Sequence, residues 1–247
     1  MTSTIAQEYL DNVLHQAEGL IKPAYSNNDE AHTWDHALWV VKNAVKIIGL
    51  YGEALTYKQM QIIILGALVH DVRADSRKYH HVLAMDWVHA HREEFEIVFE
   101  IDDFMIDSIA VAALEHRASW DGGYSEDTSV FVAAADKGTP KTITDLMRAS
   151  YAFARGHLKA DIVGAREHSA DHIIEKFGRE GYLYTRSPNW IVLDLYKDIL
   201  EDIWVDTDKG SEYIQTLDAI YDDCEVYYQK KVEAKKVLLA KIGIVNQ

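Results

Sequence analysis

Residues 62–76 read IIILGALVHDVRADS, an almost uninterrupted apolar run that ends in a His-Asp pair, His70 and Asp71. Thr56 is a suitable N-cap just upstream. The segment 57–71 is apolar nearly all round, which is the pattern of a central helix covered by other helices. Such a helix needs helical neighbours on several sides, and the flanking sequence supplies them.

Residues 3–22 place Ile5, Tyr9, Leu10, Val13 and Leu20 on one stripe until KPAYSNND breaks the period. A second helix is expected from about Thr33 to Leu50. Others are expected over 77–95, 103–118, 126–137, 141–155, 158–178, 189–204 and 209–241. The stretch ASWDGGYSEDT, 118–128, is the clearest turn, with paired glycines behind an aspartate. Three prolines, 13 glycines and few β-branched runs favour helix over sheet. The expected fold is all-α, a compact multi-helix bundle over 1–247 with no linker or internal repeat. Residues 209–241 are a long charged helix that braces the body or meets a second subunit, so a homo-oligomer stays open.

Forty acidic against 25 basic residues give a formal charge of −15. That surface repels polyanions, so neither a nucleic-acid polymer nor an anionic membrane is an expected partner. A small anionic substrate is compatible with it if a metal ion reverses the local field. No segment reaches the ~18 apolar residues of a bilayer span. The N-terminus MTSTIAQEYLDNVLHQ lacks a signal-peptide pattern. A single cysteine, Cys224, makes a reducing cytoplasm the expected location.

The twelve histidines carry more information by position than by number. In AHTWDHALWVV, His32 and His36 are four apart and would share a helix face, with Asp35 near enough to orient an imidazole. HExxH is absent, so a zinc peptidase is not indicated. His70 and Asp71 point ~100° apart on a helix but can reach one ion beyond its end. A third apolar run, FVAAADKGTP, stops at Asp136. His36, His70, Asp71 and Asp136 make a two-nitrogen, two-oxygen set suited to Mn, Mg, Co, Ni or Fe.

The order His, His-Asp, Asp, each on its own helix, resembles the HD-domain metal-dependent phosphohydrolase superfamily over about residues 30–155, with a helical extension over 156–247. HTWDHALWVV is similar to that family's first-histidine helix, LGALVHDV to its signature helix and AAAD to its last aspartate helix. The resemblance implies a divalent metal held by His36, His70, Asp71 and Asp136. The HxxxHA spacing is similar to cyclic-nucleotide phosphodiesterases, in which the first histidine donates a proton to the leaving oxygen. That places a general acid at His32, although Thr33 stands where those enzymes usually have Asn. LEHRASWDGGYSED resembles the corresponding region of HD-GYP phosphodiesterases, with His116 on the first histidine, Arg117 in place of the second, and no GYP proline. HHVLAMDWV is similar to the helix that gives a further ligand there, at His80 or His81. A second ion, or a phosphate edge, at His80 and His116 follows from this.

Asp71 and Asp75 are the carboxylates placed to handle water, and Arg73, Lys137 and Arg117 the cations placed for phosphate. Arg148 and Arg155 are more distant candidates. Trp34, Trp39, Trp120 and Tyr124 either stack on a base or pack. His15, His89, His91, His157, His168 and His172 are expected on solvated helix faces. The resemblance implies hydrolysis of a nucleotide or related small phosphate ester by metal-activated water. The alternatives are a cyclic-nucleotide phosphodiesterase, a non-catalytic nucleotide-binding module, and a di-iron oxygenase, whose ligand set His91 and His116 would complete.

Overall fold

A computed structural model of the chain describes residues 2–29, 32–76, 78–138, 142–186, 188–201, 203 and 212–241. In chain order the helices are α1 (Thr2–Leu20), a 3-10 turn (Lys22–Asn27), α2 (Trp34–Tyr51), α3 (Tyr57–Val69), α4 (His80–Ala90), α5 (Arg92–Phe99) and α6 (Asp103–Glu115). They continue with α7 (Asp127–Lys137), α8 (Ile143–Gly156), α9 (Ile162–Phe177), α10 (Tyr182–Thr185), α11 (Trp190–Leu195) and α12 (Glu212–Lys241). Among the described residues there is no strand, and the fold is all-α. No helix there is long and apolar enough to cross a membrane.

The chain divides into two compact units, Met1–Thr139 with Thr185–Leu195, and Pro140–Tyr184 with Tyr196–Gln247. Residues 140–155, inside the span of the family resemblance, belong to the second unit. Part of the helix expected over 189–204, and the first residues of the one expected over 209–241, lie outside the described residues.

In the first unit α3 is the central post, packed by α1, α2, α6 and α7. Ile63, Ile64, Leu65, Ala67, Leu68 and Val69 are wholly inaccessible. Its start is fixed by a capping box in which Thr56 accepts from Gln59 N and the Gln59 side chain accepts from Thr56 N. Gly66 lets two helices close on the post, since a Cβ there would meet Val132 at 3.1 Å and Ala112 at 3.3 Å. α11 joins this unit through Trp190, which is edge-on to both Tyr51 and Phe131.

Two boundaries differ from the expected ones in ways that matter for the site. α3 ends at Val69, so His70 and Asp71 lie in the tighter turns beyond it, where Val72 N donates to Val69 O and Ala74 N to Asp71 O. The segment 77–95 is two helices. At His91 the backbone N–H is shared between the carbonyls of Trp87 and Val88, and α5 starts afresh.

In the second unit α9 and α12 pack on α8. Tyr151 donates to Glu225 at 2.5 Å, and Tyr221 donates to the Arg166 carbonyl at 2.9 Å. Arg148 pairs with Asp223 and Arg155 with Glu225. These two arginines, the more distant phosphate candidates of the sequence, brace α12 within the second unit.

Candidate metal centre

Three buried helices of the first unit stop at the same place, and each delivers a ligand-type side chain where it stops. His70 and Asp71 follow α3, His116 follows α6, and Asp136 is the penultimate residue of α7. α2 contributes from its start. Thr33 caps it by accepting from His36 N, so His36 sits in the first turn and His32 precedes the helix. His32 and His36 thus do not share a helix face as the spacing alone suggests, yet their rings are 6.1 Å apart. His80 opens α4.

The geometry is centred on Asp71, whose two oxygens face different partners. Oδ2 lies 3.1 Å from His70 Nε2 and 3.6 Å from His36 Nε2. Asp136 Oδ1 closes that side, 3.5 Å from His36 and 3.6 Å from His70. Oδ1 of Asp71 lies 3.4 Å from His80 Nε2 and 3.5 Å from His116 Nε2, and those two nitrogens are 3.2 Å apart. The ligand atoms of His36, His70 and Asp71, and those of Asp71, His80 and His116, all fall within 4.8 Å of one another. Donors bound at ~2.1 Å sit on edges of about 3.0–3.4 Å in octahedral or tetrahedral shells. The observed spacings match that range with little movement.

Hydrogen bonds orient the rings. His70 Nδ1 is 2.8 Å from Ala67 O and His116 Nδ1 is 2.7 Å from Ala113 O, each three residues back. A carbonyl only accepts, so Nδ1 carries the proton and Nε2 is aimed at Asp71, the arrangement seen in metal-ligating histidines. His70 Nε2 and Asp71 Oδ1 are buried without a hydrogen-bond partner. Orphaned polar atoms on so buried a pair are costly unless something is meant to meet them.

Electrostatics lead to the same place. Burial opposes charge on His70, but the fields of Asp71 and Asp136 prevail and move its pKa up to about 9. Burial also opposes ionisation of Asp71 and Asp136. His70 and His116 hold Asp71 well below the ordinary carboxylate range, and His36, His70 and His116 do the same for Asp136. Four imidazoles around two ionised carboxylates form a cation-seeking cluster.

The surrounding residues divide clearly. His32 Nδ1 is 2.7 Å from Asp29 Oδ1, and its ring stands 6.3 Å from that of His80. Asn28 ties three separate pieces of backbone together. Its amide donates to His32 O at 2.9 Å and Asp71 O at 2.7 Å, and its carbonyl accepts from Asp75 N at 3.0 Å. Tyr25 donates to Leu68 O at 2.7 Å, satisfying another carbonyl at the end of α3. Glu115 accepts from the Ser125 amide and hydroxyl and so fixes the loop after His116. The spacing of histidines pointed to none of these four, and the only local signal is the polar break KPAYSNND.

Arg73 and Asp75 fork onto each other at 3.1 and 3.4 Å, and among the described residues neither side chain bonds to the cluster. Lys137 donates to the backbone carbonyls of Ala133 and His116. Arg117 donates to Lys78 O and lies 3.4 Å from His81, whose pKa burial and the Arg117 charge push down to about 4. His80, and not His81, is therefore the residue at the cluster. His91 bonds to Trp87 O and stacks on Trp87. Of the aromatics, Trp34 is core, Trp39 stacks on His36, and Trp120 donates to Gly123 O. Comparison of the chain with protein-family models, curated proteins and solved structures finds no match.

Proposed function

We propose that the chain is a divalent-metal-dependent phosphohydrolase acting on a nucleotide or related small phosphate ester. The observation that carries this reading is Asp71. Its oxygens face two separate pairs of imidazoles, and buried atoms on it and on His70 lack a hydrogen-bond partner. His36, His70, Asp71 and Asp136 would hold one ion, with His80 and His116 completing a second set around the shared carboxylate. Imidazole-rich donors favour Mn, Co, Ni or Fe over Mg. A bound divalent ion supplies charge for phosphoryl oxygens and lowers the pKa of water.

The chain's own groups then have distinct tasks. Asp29 holds His32 by Nδ1, so the ring presents Nε2 as the proton donor to the departing oxygen. Arg117 and Lys137 border the cluster and add positive charge for a phosphate. Arg73 takes part only by leaving Asp75. The test is a screen of nucleoside mono-, di- and triphosphates and cyclic nucleotides with Mn, Co, Ni, Fe and Mg, assaying phosphate and pyrophosphate. Metal-dependent release from one substrate class is expected.

The shared Asp71 carboxylate also favours a second reading, a two-iron oxygenase. In that reading His80, rather than His91, stands with His116. Two irons per chain, O2 uptake and no phosphate release would replace the hydrolase reading with this one.

A further inference from the structure

The second unit has its own cavity, of 310 Å³, between α8 and α9. His168, His172 and Lys176 lie along one edge of α9 at intervals of four residues, a single helix face. The expected solvated face is thus a cavity wall. The imidazoles of His168 and His172 are nearly parallel, 8° apart with centroids at 5.9 Å. Phe153 continues the row, 6.1 Å from His168. Ile173 and Phe177 are buried beneath, and Lys176 Nζ stands 5.2 Å from the centre of the Phe177 ring. From α8, Ser150 brings a hydroxyl that is buried without a hydrogen-bond partner, on a residue only 8% exposed. None of the lining side chains is acidic, in a chain of net charge −15.

We propose that this cavity binds a small molecule consisting of a flat aromatic ring with one anionic group. The ring lies against the wall of Phe153, Phe177 and the parallel imidazoles, where stacked or edge-on contacts are favourable. The anion meets the Lys176 ammonium, the Ser150 hydroxyl and imidazole N–H groups, all donors. Burial, and then the Lys176 charge, keep His172 below the usual histidine range, so that ring is neutral at neutral pH and donates one N–H. The volume is at the lower end of small-molecule sites, which run about 300–1,000 Å³, and suits one substituted ring rather than a dinucleotide.

The test uses the full chain in chelator, so that no metal occupies the first unit. Benzoate and phenylphosphonate are the anionic probes and benzamide the neutral one, with the imidazole signals of His168 and His172 followed by NMR. Saturable shifts are expected for at least one anion, and the stronger binder distinguishes carboxylate from phosphonate recognition. Lys176→Gln removes the charge, and Ala149→Trp fills the cavity from an exposed position of α8; each should weaken binding at least tenfold with the melting temperature preserved. If Ala149→Trp does not fold, Lys176→Gln decides alone. Absence of saturation, equal binding by the variants, or equal binding of benzamide would overturn the proposal. The site is independent of the phosphohydrolase reading, and loss of that reading leaves these outcomes unchanged.

Discussion

In the second unit every arginine named meets an acid: Arg148 with Asp223, Arg155 with Glu225, and Arg166 with Asp222 at 3.0 Å. These pairs link α12 to α8 and α9, and each sets a full charge against its opposite, although Nε of Arg166 is buried without a hydrogen-bond partner. At the heart of the first unit, His70 and Asp71 are 0% and 3% exposed at the side chain, yet atoms on both lack a hydrogen-bond partner. Where polar groups complete one another they brace a fold. Where they are buried, oriented from behind and without a hydrogen-bond partner in front, they are the donors proposed above to hold a metal. Single orphaned atoms occur elsewhere too, at Tyr9, Trp34, Ser129 and Arg166; the first-unit cluster differs in that its orphaned atoms sit on two adjacent ionisable groups ringed by further ligand-type side chains.

The largest effect that can break this contrast is at Asp71. Asp71→Asn keeps the shape but removes the charge shared by both donor sets, and it should lower phosphohydrolase activity at least ~10³-fold. His32→Ala should lower kcat by ~10²–10⁴-fold, the usual range for a general acid, while metal affinity holds. Equal losses in metal affinity would instead make His32 part of the ligand shell. Asn28→Ala leaves the Asp71 carbonyl without its amide, and metal affinity measured by titration should fall ~10–100-fold, as for other residues that support a ligand from behind.

The next effect is on stability. In metal-free protein, the His70 pKa is raised from its ordinary 6.5 to about 9. A raised histidine contributes stability that is complete below the unfolded value and is lost as pH climbs through the folded one. The melting temperature in chelator should therefore decline from pH 6.5 to 9, and His70→Ala should flatten that decline. Asp71 and Asp136, held below the usual range, act in the opposite sense. Their contribution stands above ~4 and disappears on acidification. The smallest effect belongs to the bracing pairs. Glu225→Gln weakens a partly exposed ion pair with Arg155, so stability should change by ~1 kcal/mol or less, with activity untouched.

The sequence makes the centre legible by residue type and the surroundings illegible by distance. The α3 post announces itself because residues 62–69, eight in a row without a polar side chain, fit a covered helix, and His36, His70, Asp71 and Asp136 stand where such runs begin or stop. Asn28 acts on Asp71, 43 positions away, and no local pattern encodes that pairing. His32 and His36 read as one helical turn, but the Thr33 cap puts His32 outside the helix, where Asp29 can reach it. His168 and His172 read as solvated because their period matches any charged face. Only the packing of α8 against α9 turns that face inward.

Metal content tests the central claim most directly. Wild-type chain and Asp71→Asn are loaded with manganese or cobalt, dialysed against metal-free buffer and analysed for metal per chain. The account predicts at least one ion retained by the wild type and none by the variant, with the fold of both intact by circular dichroism. Retention by Asp71→Asn at the wild-type level, or no retention by the wild type with either metal, would contradict it.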